Sequence, residues 1–332
     1  MTIWRRVPAG NRVEWTGYRV QEGRPKQWLI REQADQAHAP GTTVNVGDSF
    51  EMHVGMRLPL VTATRYVTPL REGGSLPALM EADDDGLYVV KLRGAAQGTK
   101  TLVAELVAGE IGRLLGLNVP DLVLVNLPAA LTLGEPDPEI KGPLDRSVGL
   151  NLGLDYLPGA LPFDLAMREP IDPLLAADIV WFDAFVANVD RTTRNPNMLR
   201  WHDNLWLIDH GAAILPHHRW TDPAAEARKP FPLVREHVLL PKAGSMVEAD
   251  RRMADRLLES DLWQAIGSIP DSWLEEESPL GDADAQRQAY MTYFTTRLEM
   301  PRPFIAGAEA ARTEAGVGAI DPDRATRGRR RE

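Results

Sequence analysis

Residues 188 to 211 hold the side chains whose types and spacing can do chemistry. The chain there reads Asn188-Val189-Asp190-Arg191-Thr192-Thr193-Arg194-Asn195-Pro196-Asn197, then Met198-Leu199-Arg200-Trp201, a polar His202-Asp203-Asn204, and Leu205-Trp206-Leu207-Ile208-Asp209-His210-Gly211. Met198–Trp201 and Leu205–Ile208 are short β-type runs around a three-residue polar turn, which predicts a hairpin. Pairing symmetric about Asp203 sets Asn197 opposite Asp209. Asn195 then lies just beyond the hairpin base, and Asp190 heads the loop leading into it. Two carboxylates and one or two amides thereby converge at one end of a hairpin. Phosphoryl transfer asks for that set, since one carboxylate positions an acceptor hydroxyl while hard oxygen ligands hold magnesium against nucleotide phosphates. On this reading Asp190 serves the acceptor, and Asp209 with an amide oxygen of Asn195 or Asn197 serves the metal. Taken singly, each of these residues is more simply a turn or cap residue. The ordered set carries the chemistry.

A second group lies upstream. Lys91 closes the apolar strand Leu87-Tyr88-Val89-Val90-Lys91-Leu92, where its plain role is to snorkel at a sheet edge. A phosphate-binding lysine needs a carboxylate to orient it. On the helix that follows, Glu105, Ala108, Gly109 and Gly112 share a stripe, and the small residues predict close approach to the strand of Lys91. Glu105 is therefore the expected partner. Glu110 is expected on the surface, paired with Arg113. Gly73-Gly74-Ser75 is a candidate for covering phosphates with backbone N–H groups, and Gly94 to Gly98 is a second. His210, His217 and His218 are read as incidental loop histidines rather than metal ligands. Trp201 and Trp206 are read as packing residues.

With these residues in hand, the chain resembles the HipA-like kinases, whose catalytic motifs are also similar to those of phosphatidylinositol kinases. In those families a strand lysine contacts ATP, a catalytic-loop aspartate precedes a metal-binding asparagine by five residues, and a later aspartate at the end of a hairpin strand holds magnesium. These positions fall on Lys91, Asp190, Asn195 and Asp209. The resemblance runs from about residue 60 to 220 and is strongest over 178–214. Many relatives carry His where Thr192 stands. The resemblance implies an α+β, two-lobed protein-kinase-like fold and a phosphotransferase using ATP and Mg2+. On it Asp190 and Asn195 are the catalytic residues, Asp209 and Asn195 the metal ligands and Lys91 the ATP contact; Asn197 stays open as the other candidate amide for the metal, and Glu105, Gly73, Gly74 and Ser75 are candidates around the nucleotide from the residue reading alone. The acceptor the resemblance implies is a protein serine or threonine. A lipid or small-molecule acceptor, or a catalytically weak nucleotide-binding pseudokinase, are the alternatives.

The elements that must position these residues are legible along the chain. Strands are predicted at Leu60–Val67, near Leu76–Met80, at Leu87–Leu92 and at Leu122–Leu127, with a tight turn at Asp83-Asp84-Asp85-Gly86. Leu102, Val103, Leu106, Val107, Ile111, Leu114 and Leu115 give residues 100–116 a helical face. A Pro-rich loop of about fifteen residues is expected after Leu127. Residues 147–156 read as partly extended, and Pro158-Gly159 as a hinge. Asp172 and Pro173 open a buried helix. Further helices are expected after residue 246 and from Ala283 to Glu299. The division expected is a leader or accessory element over 1–55, a strand-rich half over 56–157, a helical half over 158–305 and a flexible tail over 306–332.

Composition sets outer limits. The 332-residue chain has no cysteine, which excludes disulfides, zinc–thiolate sites and a cysteine nucleophile and fits a reducing cytoplasm. A net charge of −10 argues against general nucleic-acid binding. The basic cluster Arg324, Arg327, Arg329, Arg330 and Arg331 reads as a solvated end. No apolar run follows Met1–Arg6, so neither an export signal nor a membrane association is expected.

Overall fold

The computed structural model describes residues 2–9, 12–19, 58–70, 77–95, 97–134, 137–164, 171–275 and 278–319. The chain divides into two units, Met1–Met52 and His53–Glu332. In the first, β1 (Thr2–Ala9) and β2 (Arg12–Arg19) pair as an antiparallel hairpin with Thr2 opposite Arg19. Gly73, Gly74, Ser75 and the arginines from 324 onward lie outside the described residues.

The second unit begins with a closed five-stranded barrel. Its strands are β3 (Leu60–Pro69), β4 (Ala78–Ala82), β5 (Leu87–Lys91), β6 (Leu122–Leu127) and β7 (Gly149–Asp155), in the order β3-β4-β5-β7-β6. Asp85 at φ 62° and the bond from the Gly86 N–H to Asp84 Oδ1 (2.9 Å) turn the chain between β4 and β5. Along β5 the side chains alternate, so Val90 enters the barrel core with Met80 and Val125 while Lys91 leaves it on the opposite face.

Between β5 and β6 runs α1 (Thr99–Leu114), buried continuously from Leu102 to Gly112. Its small-residue stripe does not approach β5. A Cβ on Gly109 would meet Leu122 at 2.9 Å, and one on Gly112 would meet Val119 and Phe182 at 3.1 and 3.3 Å. The close approach is therefore to the start of β6 and to a later helix.

The Pro-rich segment after β6 is not a loop. It folds as α2 (Ala129–Thr132) and α3 (Pro138–Arg146). Asp137 caps α3 by accepting from the Glu139 N–H, Pro138 opens it, and Ile140 and Leu144 bury one turn apart. Gly142 and Pro143 mask that periodicity in the sequence.

The remaining chain is mainly helical. After the short β8 (Leu161–Pro162) comes α4 (Pro173–Phe185), capped by Asp172 and stacked through Trp181 on Phe185 at 5.0 Å. Next is the hairpin β9 (Met198–Trp201) and β10 (Asn204–Leu207). Then follow α5 (Pro223–Ala227), α6 (Met246–Ala254), α7 (Glu259–Gly267), α8 (Ala283–Leu298) and α9 (Pro303–Ala319). The last is a correction, because residues 306–319 were expected in the flexible tail. Phe304, Ile305, Ala308 and Ala311 bury that helix in the main core, although its Ala- and Gly-rich sequence is barely amphipathic. Arg297 of α8 is buried and donates to the carbonyls of Ala184 and Phe185 (2.6 and 2.7 Å), which closes the C-terminus of α4. Among the described residues no helix is long and apolar enough to cross a membrane.

Candidate active site

The hairpin turn consists of His202 and Asp203 alone, both at positive φ (47° and 63°), so β9 and β10 close on a two-residue turn rather than three. Asn204 pairs with Trp201 and Leu207 with Met198. The register is thus one residue off the sequence expectation. Asn197 faces Ile208, whose N–H donates to the Asn197 carbonyl at 3.0 Å, and Asp209 is the next residue out. Asp209 takes φ 56°, a left-handed conformation that Asp tolerates better than bulkier residues.

The loop from α4 is held at several points. The Asn188 side-chain oxygen accepts from the Asp190 N–H at 3.1 Å. Asp190 Oδ2 accepts from the side-chain amides of Asn195 (2.8 Å) and Asn197 (3.3 Å). Both amides turn their nitrogens to Asp190, which leaves their oxygens directed elsewhere.

Lys91 joins this loop to the barrel. Its Nζ donates to Asp209 Oδ1 at 2.6 Å and lies 3.8 Å from Glu105 Oε2. Burial disfavours the charged ammonium, but Glu105, Asp209 and Asp190 outweigh it and hold the Lys91 pKa above its ordinary value. Glu105 is fully buried. Burial alone would raise its pKa, yet Lys91 and then His210 bring it down to about 2. His210 Nδ1 stands 3.5 Å from Glu105 Oε1. Glu110 is a correction. It pairs with Arg113 at 3.4 Å as expected, but it is buried, and that burial pushes its carboxyl pKa up.

Sequence reasoning missed the hub behind the loop. Asp183 of α4 is buried and accepts from Arg191 Nε (2.5 Å), His237 Nε2 (2.9 Å) and the Asn188 amide (2.8 Å). Arg191 also donates to the carbonyl of Asn197. One guanidinium therefore ties α4 to the hairpin base. Burial would raise the Asp183 pKa, but Arg191 and His237 hold it far below the carboxylate range. The available signal was a carboxylate inside the helix Trp181-Phe182-Asp183-Ala184-Phe185, which burial obliges to find a partner.

In the second glycine candidate both glycines already have bonded N–H groups, that of Gly98 to the Ala95 carbonyl at 3.1 Å. The Gly94 N–H donates to Ser147 Oγ at 2.9 Å and its carbonyl accepts from Arg146, so Gly94 has no free donor for a phosphate. Trp201 donates to the Pro158 carbonyl at 3.0 Å and packs edge-on to Trp206, tying the hairpin to the expected hinge. Among the described residues no three His, Cys, Asp or Glu side chains group as a metal cluster. A cation here would need amide oxygens as well, and the donor set fits a hard divalent ion. Three carboxylates surround a single ammonium, and Asn197 adjoins Asp209 across the hairpin base.

A family model described as HipA-like kinase matches residues 64–299. The chain belongs to the HipA-like kinase family. No curated protein matches this HipA-like kinase. Among solved structures, the Helicobacter pylori proinflammatory kinase CtkA aligns over 77% of this chain and 98% of its own, at 13% identity and a TM-score of 0.47. The Golgi casein kinase with Mn/ADP bound aligns over 76% of this chain and 75% of its own, at 10% identity and a TM-score of 0.36.

Proposed function

We propose that this HipA-like kinase works as a two-lobed, ATP- and Mg2+-dependent protein serine/threonine kinase of the cytoplasm. The observation carrying this reading is the buried Lys91 held between Glu105 and Asp209, beside Asp190 and its two amides. Lys91, kept charged by those carboxylates, binds and orients the nucleotide phosphates. Glu105 keeps the ammonium aimed. Asp190 accepts a hydrogen bond from the acceptor hydroxyl and takes its proton as that oxygen bonds to the γ-phosphorus of ATP and the bond from the γ-phosphorus to the β,γ-bridging oxygen breaks, releasing ADP. Asp209, Asn195 and Asn197 would hold magnesium, which when bound neutralises phosphate charge. Backbone N–H groups of Gly73, Gly74 and Ser75 are proposed to cover the phosphates.

The test is transfer of γ-labelled phosphate from ATP, with magnesium or with chelator, to protein acceptors including the chain itself. Wild type should label protein only with magnesium. Asp190→Ala should lose about 10²-fold or more of the transfer while retaining Mg-ATP binding, whereas Asp209→Ala should lose magnesium-dependent binding. Full turnover by Asp190→Ala, or label confined to small molecules, would overturn the assignment.

A further inference from the structure

After α5 the chain returns to the loop of Asp190. A 3-10 turn, Pro232–Glu236, brings His237 antiparallel to Thr192, and the Val238 N–H donates to the Arg191 carbonyl at 3.0 Å. His237 is buried there, and its two ring nitrogens have different tasks. The Leu239 N–H donates to Nδ1 at 3.1 Å, and a backbone N–H can only donate. Nδ1 is therefore the acceptor, and the ring proton sits on Nε2. Nε2 in turn donates to Asp183 Oδ2 at 2.9 Å. The backbone sets the tautomer, and the tautomer aims a donor at the carboxylate behind the loop.

Asp183 divides its oxygens between two ties to that loop. Oδ1 accepts from the Asn188 amide at 2.8 Å and from Arg191 Nη2 at 3.3 Å. Oδ2 accepts from Arg191 Nε at 2.5 Å and from His237. The first tie runs on to Asp190, because the Asn188 side-chain oxygen accepts from the Asp190 N–H at 3.1 Å. The second runs on to the hairpin base, because Arg191 Nη1 donates to the Asn197 carbonyl. A guanidinium fork favours two parallel bonds to a carboxylate. In this hub the two are uneven, and His237 and Asn188 hold the carboxylate off the even arrangement. Without the His237 proton the carboxylate is free to turn onto the fork, at the expense of the neutral Asn188 amide. Asp190 then loses the hold on its N–H, while Arg191 keeps the hairpin base.

We propose that His237 is a positioning residue for phosphoryl transfer, acting through Asp183 and Asn188 on Asp190. The proposal rests on the kinase reading above. Within it, His237 serves the acceptor side of the site, whereas Lys91, Glu105 and Asp209 serve the nucleotide side.

Two amide side chains separate the tasks of the imidazole. In His237→Asn the side-chain oxygen reaches the place of Nδ1 and accepts from Leu239, but no donor reaches Asp183. In His237→Gln the amide nitrogen reaches the place of Nε2 and donates to Asp183, but the Leu239 N–H loses its acceptor. Steady-state transfer from Mg-ATP to the acceptor that the wild type labels should show kcat about tenfold lower in His237→Asn, with KM for ATP within about twofold. His237→Gln should restore kcat to within about threefold of wild type. Tm should fall in both, since each gives up one hydrogen bond. Asn188→Ala cuts the same relay one step further on. It should match His237→Asn, and the double variant should lose no more than either alone. Equal kcat losses in the two His237 variants would overturn the proposal, as would a rise in KM in place of the kcat loss or additive losses in the double variant. Amide hydrogen exchange at Asp190, followed by NMR, gives a readout independent of activity. Exchange should be faster in His237→Asn and close to wild type in His237→Gln; one rate in all three proteins would equally overturn the proposal. If the wild type labels no acceptor, the kinase reading fails, and the exchange rates still decide whether His237 holds Asp190.

Discussion

Lys91 shows how a few carboxylates reverse the effect of burial on one side chain. Left alone in that position it would lose its proton more readily; with Glu105, Asp209 and Asp190 around it, it holds the proton more tightly than in water. Glu105→Gln keeps the shape and removes the charge. It should leave the fold intact and reduce phosphate transfer by about tenfold or more, since an unpaired lysine drifts from its aim. Glu110→Gln should leave transfer within about twofold, because its partner is Arg113 and not the site. A larger loss at Glu110 than at Glu105 in parallel assays would reverse that assignment. Asp183 and Glu105 share a second property. Both carboxyls titrate lower in the folded chain than the ~3.9 and ~4.3 of unfolded Asp and Glu. Their stabilisation is therefore complete above about pH 4.5 and lost as pH falls towards about 2. Asp183→Asn should destabilise the protein by about 3–5 kcal/mol at pH 7, because it leaves the buried Arg191 without its counter-ion. Denaturant midpoints should converge between wild type and Asp183→Asn as the pH is lowered; parallel curves would show that the pair does not titrate in this window.

At the scale of elements, most of the framework was legible and the exceptions have physical causes. The strands Leu87–Lys91 and Leu122–Leu127, the helix α1 and the cap at Asp172 announce themselves through periodicity and capping chemistry. The convergence of Asp190, Asn195, Asn197 and Asp209 was also legible, because the two short β-runs and their turn bring them to one end of a hairpin; Glu105 does lie beside Lys91, but not for the reason read in the sequence, since the small-residue stripe packs on the start of β6 and on α4. The hairpin register was not legible. It depends on whether His202 and Asp203 both adopt positive φ, and neither is the Asn-Gly pair that would advertise such a turn. The double substitution His202→Asn with Asp203→Gly should relieve that conformation and raise Tm by a few degrees without altering transfer. A lower Tm would indicate that the native turn side chains contribute contacts of their own. The hub of Asp183, Arg191 and His237 stayed hidden because its members are 8 and 46 residues apart from one another in the sequence and gain meaning only when α4 is buried.

For the whole molecule, the two units make the first 52 residues separable on paper. A chain beginning at Met56 should fold cooperatively and keep a Tm close to that of the full protein, as read by circular dichroism. Insolubility or a broad melt would mean that the leading segment completes the core. The other end of the chain behaves differently. Arg297 supplies the donors that close the C-terminus of α4, and α4 leads directly into the loop carrying Asp190. That arginine is made 113 residues after Ala184. At about 5–20 residues per second, synthesis leaves roughly 6–20 s during which α4 exists without its brace, before any time spent in the exit tunnel. The order of synthesis therefore sets α4, and the loop it leads into, ahead of the arginine that closes the helix.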